Sequence, residues 1–222
     1  EKPNPAFSIH FDTKWKAKGV RFSPDETTAT WRNASFGGFA VSAQPLKKKH
    51  CGRWYEVRIE EANASRWSDG LGIGVCHHPS KDKTLSKDIM GNYEPVEGLA
   101  CENLTSSWLM GYDGRAQICS FSRYLKGDEL PKGMWKPSAL RQGDVVGVLV
   151  TQDGHLLLFV NEELVYLVPG CNIPWNKDLF ACIDLDGSTQ TVHLLDTNGF
   201  PSQKVLQGVA RIREDEFRAK DA

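Results

Sequence analysis

The sequence predicts an all-β fold, an antiparallel β-sandwich that ends in a short C-terminal helix. Short apolar stretches rich in β-branched and aromatic residues recur along the chain, and each is bounded by Gly, Asp, Asn or Pro. Helical periodicity is scarce before the C-terminal segment. Many short strands separated by turns are typical of a sandwich, so we place the fold in this class.

The N-terminal half contains three strand-like runs. "TTATW" (27–31) and "FAVSA" (39–43) are β-prone and are flanked by Asp, Asn and Gly. "WYEVRIEE" (54–61) alternates between apolar and charged side chains, which predicts a strand with one buried face. The two faces carry Tyr55, Val57 and Ile59 on one side and Glu56, Arg58 and Glu60 on the other.

The C-terminal half continues the pattern. "DVVGVLVT" (144–151) is almost wholly apolar, which predicts a central strand covered on both faces; "QDG" (152–154) then predicts a turn before "HLLLFVNEEL" (155–164). "LFACIDL" (179–185) and "QTVHLL" (190–195) flank a turn at "DGST". The spacing of Asp184, Asp186 and Gly187 is similar to a calcium loop, but the closing acidic ligand is missing because position 195 is Leu, so a turn is favoured.

Two segments differ from this pattern. Residues 80–105 are polar and irregular, which predicts a long and functional loop between strands. In the tail, Ser202 is a candidate N-cap, and Val205, Val209 and Ile212 have helical spacing. We therefore predict a domain over 7–196 and a helical extension over 197–222, which packs on its own domain or on a partner.

Charge and composition exclude several classes of function. A net charge of −1 provides no general attraction to nucleic acid, and no apolar run is long enough to span a membrane. The only obvious basic cluster, Lys47-Lys48-Lys49-His50, is interpreted as a solvated loop in preference to a binding patch. Six cysteines without C-x-x-C spacing favour reduced thiols in a cytoplasmic protein and no zinc site. Three Asn-x-Ser/Thr triplets, at Asn33, Asn63 and Asn103, favour a secreted protein instead and are given less weight.

Cys76, His77 and His78 are the strongest candidates for chemistry. Neighbouring residues of a strand point to opposite faces, so Cys76 and His77 diverge, and Pro79 favours the end of the strand. The sequence contains no nucleophile elbow, phosphate loop or dinucleotide motif. We therefore predict no catalytic residues, no metal site and no cofactor, and interpret the three residues as a buried thiol followed by two loop histidines.

Several segments, in order, resemble one known family. "GFAVSAQPL" (38–46), "YEVRIEE" (55–61) and "RWSDGLGIGVCHHP" (66–79) are similar to consecutive strands and turns of the neuralized homology repeat, a relative of SPRY domains. "SWLM" (107–110), "GDVVGVLVTQDGHLLLFVN" (143–161) and "FACIDLDGSTQTVHLL" (180–195) follow in the expected order. The resemblance covers about Phe7 to Asp196 and implies a SPRY/neuralized-like sandwich that binds proteins and is not an enzyme.

The sequence also departs from the family pattern. Trp31 stands where the family has arginine, with Arg32 one place on, and Cys76 stands where threonine is frequent. The hairpin that Asn-Gly usually closes is "NEEL" (161–164), for which we expect a different turn. The resemblance implies that loops at one end of the sandwich bind a peptide of a partner or substrate. In its more specific form, it implies that the domain is a substrate receptor of a ubiquitin ligase and that ligase subunits are among its partners.

The candidate partner-binding residues combine arginine and aromatic side chains in three loops. Arginine suits the binding of carboxylates and carbonyls, and an aromatic ring excludes water from the centre of an interface. The candidates are Trp31, Arg32, Arg66, Trp67, Asp69, Tyr112 and Arg115. The alternatives are a secreted or lectin-like binding module and, with less support, a hydrolase on a β-sandwich.

Overall fold

The structure is a computed structural model that describes residues 9–32, 38–63, 70–78, 106–111, 115–119, 123–124, 135–168, 171–185 and 187–220. Within these residues the strands are β1 (Phe11–Lys16), β2 (Val20–Phe22), β3 (Thr28–Trp31), β4 (Phe39–Pro45), β5 (Arg53–Ala62), β6 (Gly72–Cys76), β7 (Ser107–Gly111), β8 (Arg115–Cys119), β9 (Arg123–Tyr124), β10 (Val145–Val150), β11 (Leu156–Val160), β12 (Glu163–Val168), β13 (Phe180–Asp184) and β14 (Thr189–Leu195). A short 3-10 helix (Pro137–Ala139) precedes β10, and helix α1 (Gln203–Lys220) follows β14.

The strands form two antiparallel sheets. The first has the order β1-β4-β13-β6-β7-β8-β9, and the second has the order β12-β11-β10-β5-β14-β3-β2. Buried apolar side chains of both sheets make one core cluster. The predicted all-β antiparallel sandwich with a C-terminal helix is confirmed.

The strand patterns position the core as predicted. Tyr55, Val57 and Ile59 of β5 are at most 1% exposed, whereas Arg58 on the other face is exposed. Strand β10 lies between β11 and β5, and it is buried on both faces. Its Val148 belongs to the core between the sheets, and its Leu149 belongs to a second cluster. The sequence did not predict β1, β2 and β9.

The hairpin between β11 and β12 corrects one expectation. Asn161 and Glu162 have φ of 50° and 68°, and Val160 pairs with Glu163 across them. Two central residues with positive φ make the same left-handed two-residue turn that Asn-Gly closes. The expectation of a different turn was wrong, because Glu162 adopts the left-handed conformation that usually requires glycine. Asn161 holds the turn through its Oδ1, which accepts the N–H of Val145 at 3.0 Å.

Tyr55 joins the two sheets. Its hydroxyl donates towards the carbonyl oxygens of Gly74 at 2.6 Å and of Cys182 at 3.1 Å, both in the opposite sheet. Full burial raises the pKa of Tyr55 well above its ordinary value. A side chain at Gly74 would overlap the backbone of Trp108, so this glycine allows β6 and β7 to approach closely.

Helix α1 covers the outer face of the second sheet. Val205 and Val209 lie in a cluster with Trp54, Leu149, Leu157 and Phe159. The N–H of Val205 donates to Ser202 Oγ at 3.4 Å, so the predicted N-cap is confirmed. The predicted packing of the helix on its own domain is also seen in its first half. The side chain of Ile212 and the loop 80–105 lie outside the described residues.

Candidate interaction surface

Four connections meet at one end of the sandwich, which we call the loop end. Strand pairing sets Phe39 and Gly72 on either side of Asp184, and Gly72 also pairs with Gly111. These residues begin or end their strands, so the connections β3–β4, β5–β6, β7–β8 and β13–β14 all leave the sheets at the same level. All three segments that carry the predicted binding residues belong to these connections.

Trp31 and Arg32 stand at the loop end of β3. Trp31 pairs with Val20, is half-buried against the core, and has an indole N–H without a hydrogen-bond partner in the part of the chain that is described. The side chain of Arg32 is 65% exposed, and its Nη2 lies 3.7 Å from Oε2 of Glu61. An exposed pair at this distance contributes little to stability. The Arg32 guanidinium is therefore held only weakly by Glu61.

The remaining predicted residues are only partly located. Arg115 begins β8, where it pairs with Gly111, and its side chain lies outside the described residues. Arg66, Trp67 and Asp69 lie in the undescribed segment 64–69, and Tyr112 lies in 112–114. The described ends of these segments are Asn63 with Gly70 and Gly111 with Arg115, all at the loop end.

A buried carboxylate holds the base of the loop end, and the sequence did not identify it. Asp184 is 2% exposed, and its Oδ1 accepts the N–H of Gly38 at 2.8 Å. The N–H of Leu185 donates to the carbonyl of Gly38 at 3.1 Å, and the N–H of Asn63 donates to that of Ser188 at 2.6 Å. These bonds tie three of the connections together. The sequence feature that could have identified Asp184 is a single acidic residue inside the apolar run "FACIDL".

The turn after Asp184 is a tight connection. Gly187 has a φ of 54°, and β14 begins two residues later at Thr189. The hydroxyls of Ser188 and Thr189 are buried and lack a hydrogen-bond partner among the described residues. In the same part of the chain, no group of three His, Cys, Asp or Glu side chains could hold a metal ion.

Cys76, His77 and His78 lie at the opposite end and contact different neighbours. Cys76 is fully buried. The His77 ring packs edge-on to Trp108 at 5.5 Å, whereas the His78 ring packs on Phe180 at 4.8 Å. Nε2 of His78 lies 3.4 Å from Oδ2 of Asp12. The two histidine rings therefore pack on different aromatic residues, while Cys76 lies in the core between the sheets.

The described thiols have the character of buried structural groups. Cys76, Cys171 and Cys182 are buried, and Cys51 is half-buried. Burial raises the pKa of Cys171 to about 12, and burial also raises the pKa of Cys51. A reactive cysteine needs the opposite shift, because the thiolate is the nucleophile.

Comparisons with known proteins agree on the fold and on the family. The NHR domain of Neuralized from Drosophila melanogaster, in its solution structure, matches with a TM-score of 0.61 and 17% identity, covering 91% of this chain and all of that chain. The crystal structure of the Drosophila melanogaster neuralized-nhr1 domain matches with a TM-score of 0.55 and 15% identity over 85% of this chain and 98% of that one. A human SPRY domain matches with a TM-score of 0.54 and 16% identity over 81% and 96%.

Sequence comparison gives the family directly. A search of curated proteins finds no match. The family model described as Neuralized matches residues 13–196, which is most of the chain. Neuralized and SPRY domains are generally protein-interaction domains. No helix in the described residues has the length and apolar character needed to cross a membrane. The chain therefore belongs to the Neuralized family.

Proposed function

We propose that this domain binds a peptide segment of a protein partner at its loop end and does no chemistry itself. The observation that carries the proposal is the convergence of the β3–β4, β5–β6 and β7–β8 connections at one level of two fixed sheets. Connections held by a rigid scaffold are frequent binding sites, because the scaffold limits the entropy that binding costs.

The residues of the loop end suggest the chemistry of the ligand. Arg32 is exposed and only loosely paired with Glu61. Trp31, in the preceding position, is half-buried and packs against the core. This pair suits a peptide that presents a carboxylate or a carbonyl group beside an apolar side chain. Arg66, Trp67, Asp69, Tyr112 and Arg115 complete the proposed surface.

In its specific form the proposal makes the domain a cytoplasmic substrate receptor for a ubiquitin ligase. The family membership supports this form, as do the buried positions of Cys76, Cys171 and Cys182. The ligase activity itself would come from another segment or another protein, since the sequence lacks the Cys/His spacing of a RING domain.

The test is quantitative recovery of partners from the cells that produce the protein, followed by mass spectrometry. Arg32→Ala and Trp67→Ala should each reduce the recovery of the main partner about tenfold. The matched control is Arg58→Ala, which removes an exposed arginine from the outer face of β5. Undiminished recovery by both loop-end variants would refute the choice of surface. Ligase subunits among the partners of the wild type would support the specific form, and their absence would contradict it.

A further inference from the structure

The basic cluster Lys47–His50 meets an exposed aromatic residue at the end of the sandwich opposite the loop end. The Nζ of Lys49 lies 4.1 Å from the centre of the Phe200 ring, and the His50 ring lies 6.2 Å from it. A Cβ added at Gly199 would lie 3.3 Å from Cβ of Lys47, so the β4–β5 connection packs directly on the segment after β14. We call Lys48, Lys49, His50 and Phe200 the basic–aromatic patch.

Both segments of the patch are held in place by hydrogen bonds. Asn198 and Gly199 have φ of 52° and 75°, and the N–H of Phe200 donates to the carbonyl of Thr197 at 3.0 Å. These values define a two-residue left-handed turn, which fixes the point at which the Phe200 side chain leaves the backbone. Across the patch, Lys49 and Gly52 exchange backbone hydrogen bonds of 2.9 and 3.1 Å. The patch therefore exists before any ligand binds.

Phe200 is unusually exposed for its type. It is 43% exposed, and Leu164 at 36% is the other exposed large apolar residue among the described residues. Phe200 belongs to neither apolar cluster, so the core does not account for its position. An exposed ring that a lysine approaches offers an apolar contact beside positive charge.

Such a patch fits either an anionic membrane or an acidic peptide, and the charge of the protein favours the peptide. Lys48 and Lys49 make the patch positive, whereas the chain as a whole carries −1. An anionic membrane faces a broad area of the protein and gains little from a nearly neutral molecule. An acidic peptide contacts only the patch, so the nearly neutral charge of the rest of the molecule matters less for its binding.

We propose that the basic–aromatic patch is a second docking surface, which binds an acidic segment of a protein partner with an aliphatic or aromatic side chain placed against Phe200. The lysines interact with the carboxylates, and Phe200 removes apolar surface of the peptide from water. The surface is separate from the loop end and uses none of its residues, so one protein could occupy both ends or two proteins could bind together.

The experiment measures binding of a fluorescein-labelled peptide of alternating Glu and Asp with one central Leu. Phe200→Ser and Lys48→Glu should each weaken binding about tenfold, and added salt should weaken the binding of the wild type. The matched controls are Leu164→Ser, which alters the other exposed apolar residue, and Lys136→Glu, which alters an exposed lysine near the loop end. Both controls should bind within about twofold of the wild type.

Three results would overturn the proposal. The first is the absence of saturable binding to the wild type, and the second is an equal loss in the controls. The third is binding to phosphatidylserine vesicles that depends on Phe200 while the peptide does not bind, which would assign the patch to lipid. Arg32→Ala serves as a further control: it should not affect binding of this peptide, so failure of this proposal and failure of the loop-end proposal are distinguishable.

Discussion

Replacing Tyr55 with Phe removes one oxygen atom from the contact between the two sheets. The Tyr55 hydroxyl, fully buried, donates towards two backbone carbonyls at 2.6 and 3.1 Å. A buried hydrogen bond contributes about 1 kcal/mol net, and an acceptor left unsatisfied adds to the loss. We therefore expect Tyr55→Phe to lower the free energy of unfolding by about 1–2 kcal/mol. In a chain of this length that corresponds to a fall in Tm of about 2–4 °C per kcal/mol.

Tyr166→Phe is the matched control. Tyr166 is 6% exposed, and its hydroxyl is buried without a hydrogen-bond partner in the described part of the chain. Removal of an unsatisfied hydroxyl costs no hydrogen bond and relieves a desolvation penalty. Urea unfolding followed by tryptophan fluorescence should therefore show an unchanged or increased free energy of unfolding for Tyr166→Phe. Equal losses of stability in the two variants would contradict a stabilising hydrogen bond from the Tyr55 hydroxyl, as would an unchanged stability of Tyr55→Phe.

The same hydroxyl predicts a response to alkaline pH. Burial raises the pKa of Tyr55 in the folded state above its ordinary value. Its contribution is therefore complete below the unfolded pKa of about 10 and is lost as the pH rises through the folded pKa. Between these two pKa values the wild type should lose about 1.4 kcal/mol per pH unit more than Tyr55→Phe. Parallel curves for the two proteins above pH 10 would contradict this assignment.

Two further predictions concern the β11–β12 turn and the helix. Glu162→Gly removes the left-handed strain of a non-glycine residue and should raise the free energy of unfolding by about 1 kcal/mol, whereas Glu163→Gly in the neighbouring strand should lower it by about 0.5–1 kcal/mol. Burial raises the pKa of Glu56, and the nearby Glu162 charge raises it further. Loss of the Glu162 charge should therefore lower the pKa of Glu56, which NMR titration of the Glu56 carboxyl measures. Val205→Ala should cost about 1–2 kcal/mol in urea unfolding, because it removes two buried methyl groups beneath α1, whereas exposed Gln207→Ala should cost less than about 0.5 kcal/mol. A Val205→Ala variant as stable as Gln207→Ala would contradict the described packing of the helix.

Sequence reasoning identified the elements whose patterns are local. The alternation of β5 and the apolar run of β10 predicted strands and their buried faces, because side-chain direction follows from a period of two. Strand β1, "FDTKWK", was not predicted, because a largely polar edge strand lacks that alternation of apolar and polar residues. The turn at Glu162 escaped because the surrounding hairpin imposes a backbone conformation that the residue itself disfavours.

The common position of the loops could not be predicted from the sequence, because it depends on contacts between residues that are distant in the chain. The sequence suggested which loops carry arginine and tryptophan, but their common level depends on the register between strands that are distant in sequence, such as β13 with β4 and β6. Buried Arg53 shows the same limit: it is 1% exposed, and its Nη2 donates to the carbonyl of Trp175 at 2.8 Å and to that of Lys177. No local sequence pattern predicts a hydrogen-bond acceptor that lies more than a hundred residues away in the chain.

Hydrogen exchange of the domain with and without its most strongly recovered partner shows whether the partner binds at the loop end. We predict that the partner slows exchange in the connections 32–38, 63–71 and 111–115, and that exchange at the β2–β3 turn, residues 23–27, at the opposite end stays unchanged. Protection confined to the outer sheet faces or to the opposite end, with 32–38 and 63–71 unaffected, would contradict recognition at the loop end.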